Sequence, residues 1–320
     1  MILKPVENKE DFFEKSAQFA GVFGSRDWLT VYGDQLSLVG IYKDEQQLIG
    51  GFFYLKVKKY GFSFLKLPPY TPHCGLFFIS ESKNKSSANS FAKEVMAEVC
   101  QYIDAQKAAL TVMAFPFYIL DLQPFIWAKY KVVPNYTYRI ALDKPMEEIR
   151  ANFDSKNRNA IAKAIKDGVE VRSNGMDAES LYNFFNGTLT AAGANIYNTE
   201  LKHIFYRFRQ NHNSFSMEAY KDQVLLGTVF CIHDQTTCYY LLGGVDKNSG
   251  VQGVNNLLVQ YCIEEAAKRG CKVFDFEGSM LKGVEKFFRG FGPELVPYYT
   301  VNKAKLPIEL MLKFKKRELF

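Results

Sequence analysis

The chain has 320 residues, of which 48% are apolar, 15% aromatic and 23% charged. That is room for two ordinary domains with filled cores, and it excludes a disordered or fibrous chain. The net charge of +6 suits an anionic ligand such as a pyrophosphate, a nucleotide or a tRNA without demanding one.

Six cysteines (Cys74, Cys100, Cys231, Cys238, Cys262 and Cys271) sit in apolar segments with no CxxC pair, which predicts reduced thiols and no disulfide framework. The acids in MILKPVENKEDFF speak against a signal peptide, and no apolar run approaches the ~20 residues that span a bilayer. A cytoplasmic protein is expected. Asn8 to Phe19 has helical spacing behind an Asn-x-x-Asp start, predicting a helix capped by Asn8. Ser25 to Asp34 reads as a short helix capped by Ser25. Leu36 to Tyr60 reads as two strands about a Lys43–Gln46 turn, with a bulge at Gly50-Gly51. Phe62 to Leu67 is another strand, and Leu67 to Gly75 a loop, because its prolines cannot donate to a ladder.

A helix within Ser82 to Ala108, a buried strand from Ala109 to Phe117, and a short helix plus an alternating strand across Leu122 to Leu142 complete the first half. The second half repeats this order. Helices at Asp177 to Ala192 and Thr199 to Asn211 precede strands at Ser214 to Lys221 and Val224 to His233. The division falls near Asp143–Pro145, giving domains 1–144 and 145–320.

The most informative stretch is Cys238 to Val301. An aromatic strand closes on Gly243-Gly244, a helix opens at Gly253 and ends AAKRG, and a buried strand ends Asp275-Phe276-Glu277-Gly278. Strand, glycine turn, helix, strand is a crossover unit, so the flanking strands are expected to be parallel and buried. These pieces, with Phe287-Phe288-Arg289-Gly290-Phe291-Gly292 and the basic segment Lys156 to Val171, resemble the FemAB-type aminoacyltransferases, within the GNAT-like acyl-CoA N-acyltransferase superfamily. The resemblance implies an α/β fold of two tandem GNAT-like domains with mixed sheets and the acyl-donor site in the second. It also implies transfer of an acyl group from a thioester, acyl-CoA, to an amine by direct attack. Two alternatives stay open: aminoacyl-tRNA-dependent extension of a peptidoglycan peptide, and a catalytically silent GNAT-like binding protein.

Each candidate residue has a plainer reading beside the functional one. Gly250, Val251, Gln252, Gly253, Val254, Asn255 and Asn256 form a turn at a helix start, where backbone N–H groups can hold a pyrophosphate; the plainer reading is a structural turn. The resemblance expects small residues where Asn255 and Asn256 stand. Asp275 and Glu277 alternate on one strand, and either can be the base that deprotonates an amine; alternatively Asp275 caps a neighbouring loop. Tyr240, with Tyr239, can protonate a leaving thiolate or pack in the core. Lys156 and Arg158 read as phosphate contacts or as a solvated helix face.

The resemblance gives Lys286, Phe288 and Arg289 to substrate binding, with Phe288 where the family has a lysine. His73, His203, His212 and His233 lack metal spacing, so no metal is expected. The acceptor is a small-molecule or peptide amine; tRNA is a further candidate partner, and the oligomeric state is not legible.

Overall fold

Polar caps fix where the helices begin. Asn8, Ser25, Asn84 and Asp154 each turn a side-chain oxygen onto backbone N–H groups of the first turn that follows, satisfying donors a helix start leaves open. The computed structural model describes residues 1–59, 61–191, 193, 197–210, 213–278 and 280–315; His212 lies outside them. In chain order the elements are β1 (Ile2–Pro5), α1 (Lys9–Ala20), α2 (Arg26–Leu29), β2 (Leu36–Tyr42), β3 (Leu48–Lys59), β4 (Phe62–Lys66), β5 (Phe77–Phe78), α3 (Lys85–Ala105), β6 (Leu110–Ala114), α4 (Gln123–Trp127) and β7 (Lys131–Ala141). Then come α5 (Met146–Ala151), α6 (Ser155–Lys166), β8 (Glu170–Ser173), α7 (Ala178–Ala191), α8 (Asn198–Gln210), β9 (Ser214–Lys221), β10 (Val224–His233), β11 (Thr237–Val245), α9 (Val254–Lys268), β12 (Val273–Asp275), α10 (Lys282–Arg289), β13 (Glu294–Ala304) and α11 (Leu306–Lys315). The fold is α/β with mixed sheets.

Packing divides the chain into two units: Met1–Asn135 with Pro297–Phe320, and Tyr136–Val296. A linear cut at 144/145 differs from this at two strands. The end of β7, Arg139–Ala141, pairs with β12 inside the second unit. The end of β13, Thr300–Ala304, pairs with β6 inside the first.

The first unit's sheet runs β1-β2-β3-β4-β6-β13. Its steps are antiparallel except β4 to β6, which is parallel. The bulge expected at Gly50-Gly51 falls one residue earlier: the register skips Ile49 between Gly50 and Leu48. The glycines serve close approach instead. A Cβ on Gly50 would stand 2.5 Å from the Phe77 carbonyl, and one on Gly51 would stand 2.5 Å from the Phe12 ring. Past Lys66 the proline-rich loop folds back into the sheet. Phe53 N–H donates to the Cys74 carbonyl at 3.0 Å, and Cys74 N–H donates to the Ala114 carbonyl at 2.9 Å. The loop thus fills the space between β3 and β6 that β4 leaves.

The second unit's sheet runs β8-β9-β10-β11-β12-β7 and keeps the same pattern, with the parallel step at β11 to β12. One face packs under α6 and α9 through Phe215, Val229, Cys231, Cys238, Phe274, Leu258 and Cys262. On the other face Phe185 of α7 stacks on Phe205 of α8, and Phe205 meets Phe230 of β10 edge-on. All six cysteines are buried and none is in a disulfide. Among the described residues no helix is long and apolar enough to cross a membrane.

Candidate active site

β11 and β12 have unequal lengths, and the site follows from that. β11 stays paired with β10 from Cys238 to Val245, whereas only Thr237, Cys238 and Tyr239 pair with β12. Opposite Tyr240 the register with β10 slips, because Leu241 is an extra residue between Tyr240 and Leu242; such a bulge twists a strand away from its neighbour. Among the described residues no backbone bond closes β11 toward β12 beyond Tyr239. A parallel step left open at its carboxyl end is the ligand side of an α/β sheet.

The chain leaves β12 through two left-handed residues, Glu277 (φ 61°) and Gly278 (φ 72°). Glycine is required at 278, since a Cβ there would lie 2.4 Å from the Tyr136 carbonyl. At Glu277 the strain is real, because a side chain is present. Asp275 holds that turn. Its Oδ1 accepts from the Glu277 N–H at 2.9 Å and from the Thr137 hydroxyl at 2.6 Å, and its Oδ2 is 3.2 Å from Arg139 Nε. Burial raises the Asp275 carboxyl above its ordinary value against those partners. Both oxygens of Asp275 are thus engaged by the turn and by β7.

Glu277 is different. Its carboxylate has no hydrogen-bond or ion-pair partner among the described residues, and burial, then the like charge of Asp275, holds its pKa well above the ordinary glutamate value. A carboxylate with free lone pairs and raised basicity is the form a general base takes.

Tyr240 is in the core: it is 8% exposed, its ring lies 5.4 Å from Phe288, and a Cβ on Gly243 would overlap its hydroxyl. Burial pushes its phenol up. Phe288 packs 4.6 Å from the Phe276 ring, so its side chain fills the core and is not offered to a substrate. Arg289 pairs with Glu285 at 2.7 Å, and Glu285 also accepts from the Tyr138 hydroxyl at 2.6 Å. Lys286 is exposed on the same helix.

The glycine turn leads into α9. Gly250 (φ 69°) and Gly253 (φ 79°) are left-handed, and a Cβ on Gly253 would sit 2.0 Å from the Ala160 carbonyl. The turn is thus pressed against α6. α9 has no side-chain cap, and its first internal bond is from Leu257 N–H to the Gly253 carbonyl. The N–H groups of Val254, Asn255 and Asn256 are left facing outward along the helix axis, an arrangement that favours an anion. The Asn256 side chain is engaged with α6, its Nδ2 donating to Asn157 Oδ1 at 3.0 Å. Arg158 folds onto the Phe153 carbonyl, while Lys156 is exposed in the first turn of α6 beside Asn157.

Sequence reasoning missed Thr137 and Arg139, which it assigned to another domain. Their signal is present: both alternate out of phase with the apolar Tyr138 and Ile140 of β7 and with Leu142 just after it. Among the described residues no group of histidines, cysteines and carboxylates is placed to hold a metal.

Residues 151–289 match the family model described as an acetyltransferase (GNAT) domain. No curated protein matches the sequence. Among solved structures, FemX superposes with a TM-score of 0.65 at 13% identity, over 98% of this chain and 99% of that one. L-PGS from Bacillus licheniformis gives 0.57 at 10% over 98% of each. A tandem GNAT protein from the clavulanic acid biosynthesis pathway gives 0.55 at 8%, over 94% and 98%. The chain has the GNAT-like acyl-CoA N-acyltransferase fold in a tandem arrangement.

Proposed function

We propose that the second unit is an N-acyltransferase that takes its acyl group from acyl-CoA. The observation that carries this reading is the open edge of β11 from Tyr240 to Val245, followed after the turn at 246–253 by the uncapped start of α9. An extended thioester arm fits along a free strand edge, where backbone groups can bond it. Its pyrophosphate then meets the N–H groups of the Gly250–Asn256 turn.

The acceptor is an amine. Glu277 accepts its proton, the freed nitrogen lone pair forms the C–N bond at the thioester carbonyl, and the C–S bond breaks to release thiolate. Backbone N–H groups of β11 stabilise the oxyanion that forms between these steps. Asp275, fixed by Thr137 and Arg139, orients Glu277 without touching substrate. Lys156, in the first turn of α6, and Lys286, on α10, are exposed, and they contribute charge to phosphate or substrate binding.

A second reading uses aminoacyl-tRNA as donor for a peptidoglycan peptide. The superposition on FemX along both chains and the FemAB-type sequence resemblance favour it; the core position of Phe288 does not. Thermal-shift titration separates the readings. At ~100 times its dissociation constant, a ligand adds about 2.7 kcal/mol of stability. The acyl-CoA reading expects a raised melting midpoint with CoA and acyl-CoA. Binding of RNA with steep salt dependence and no response to CoA would move the assignment to the tRNA donor. Response to neither would leave a silent binding protein.

A further inference from the structure

α11 has two apolar faces and uses only one. Leu312 is buried and Ile308 partly so, whereas Leu306, Leu310 and Phe314 are 69%, 51% and 86% exposed. These three recur at every fourth position, forming one stripe. The start of the helix is tied to two other segments of the first unit. Lys305 N–H donates to the Ala109 carbonyl at 2.9 Å, and Ala109 N–H donates to the Ser63 carbonyl at 2.7 Å. The β3–β4 hairpin tip, the start of β6 and the start of α11 therefore lie together at one edge. The hairpin brings Phe62, also exposed.

That edge is also rich in lysine. Lys56 and Lys58 stand on the hairpin, Lys107 on the turn before β6, and Lys303 and Lys305 before α11. A cavity of about 360 Å³ opens among Lys107, Lys303, Lys305, Asp104, Tyr130 and Thr111. Asp104 is engaged by Lys303 at 2.9 Å and by the Tyr130 hydroxyl at 2.8 Å. Among the described residues Lys107 and Lys305 have no carboxylate within ion-pair distance, so the cavity offers two unneutralised ammonium groups. The helix ends at Lys315, and the sequence continues Lys316-Arg317.

We propose that this edge of the first unit docks on an anionic phospholipid surface. Leu306, Leu310, Phe314 and Phe62 enter the acyl boundary, and the lysines meet head-group phosphates, one of which fits the cavity. Charge selects this occupant over the others. A second copy of the chain would set lysine against lysine, and an RNA backbone would leave the leucine and phenylalanine side chains in water. An apolar stripe flanked by lysines is the pattern of helices that lie in a membrane interface.

The test is co-sedimentation of the full chain with vesicles of phosphatidylcholine alone and of phosphatidylcholine mixed with phosphatidylglycerol, at low and high salt. Binding is expected to the anionic vesicles only, and to weaken with salt. The Leu310→Ser/Phe314→Ser variant should lose roughly tenfold or more of that binding, and Lys107→Glu/Lys305→Glu a comparable amount. Both variants should keep the parent melting midpoint, since the changed side chains are outside the core. Absence of binding to anionic vesicles would overturn the proposal. So would binding unaffected by both variants, or a dimer in light scattering that the Leu310→Ser/Phe314→Ser variant splits.

Discussion

At the parallel step of each sheet the two units treat the same gap in opposite ways. In the first unit the loop after β4 returns and bonds both sides through Cys74, to Phe53 and to Ala114. In the second unit β12 ends at Asp275, the chain turns off through Glu277 and Gly278, and the edge of β11 stays open. The residues differ accordingly. β6 runs out through Ala114, Phe115 and Pro116, with no ionisable side chain, where β12 runs out through Asp275 and Glu277. One strand plan is finished with its gap bridged in the first case, and in the second with an open strand edge and the raised carboxyl of Glu277.

The strongest way to break this contrast is Glu277→Gln. If Glu277 is the base, kcat/KM for acyl transfer should fall roughly a hundred- to ten-thousand-fold, with the acyl-CoA midpoint shift unchanged. In the parent, kcat/KM should rise with pH as the carboxyl ionises, along a limb placed well above the ordinary glutamate range by burial and by Asp275. Asp275→Asn removes the like charge, so the limb should move to lower pH. An unmoved limb would separate Asp275 from the base.

Next in size is Phe288→Ala. As a core ring between Tyr240 and Phe276 it should cost about 3–5 kcal/mol in chemical denaturation. Lys286→Ala on the same helix should stay within about 0.5 kcal/mol. The reverse order would return Phe288 to the ligand surface.

The filled gap has its own tests. Gly75 is left-handed at φ 60°, and a Cβ there would lie 2.2 Å from the Phe53 ring. Gly75→Ala should cost about 2 kcal/mol or more and leave CoA binding unchanged. His73 sits in the same loop and accepts from the Gly75 N–H through Nδ1 at 3.2 Å. Burial lowers its pKa to about 4. The folded state therefore prefers the neutral ring: this contribution is complete above about pH 6.5 and is lost as the pH falls toward 4. His73→Asn should flatten that part of the stability–pH curve, an effect on the order of 2 kcal/mol.

Much of this was legible from local pattern. Asn8 and Ser25 cap the helices expected of them, and the strands Ser214–Lys221 and Val224–His233 have the expected bounds. A helix opens after Gly253 as expected, though that glycine's close approach to α6 is visible only in the fold. What escaped depends on partners far along the chain. Alternation puts Thr137 and Arg139 on the polar face of β7, but it does not say that their partner is Asp275, 136 or more residues further on. Phe288 reads as a site residue by its place in a motif, and only the rings of Tyr240 and Phe276 show it to be core. The short β1 and the helix α11 were not read at all, the first for its length and the second because its apolar residues run nearly all round it.

The exchange of terminal strands bears on how the chain is made. Leu110 pairs with Ala304, so the first unit lacks its last strand until about two hundred further residues have been synthesised. The second unit, Tyr136–Val296, has all its strands before that. During translation the usual amino-to-carboxyl order of domain completion is therefore inverted: the unit carrying Glu277 can close first, while the amino-terminal sheet waits with the β6 edge unpaired.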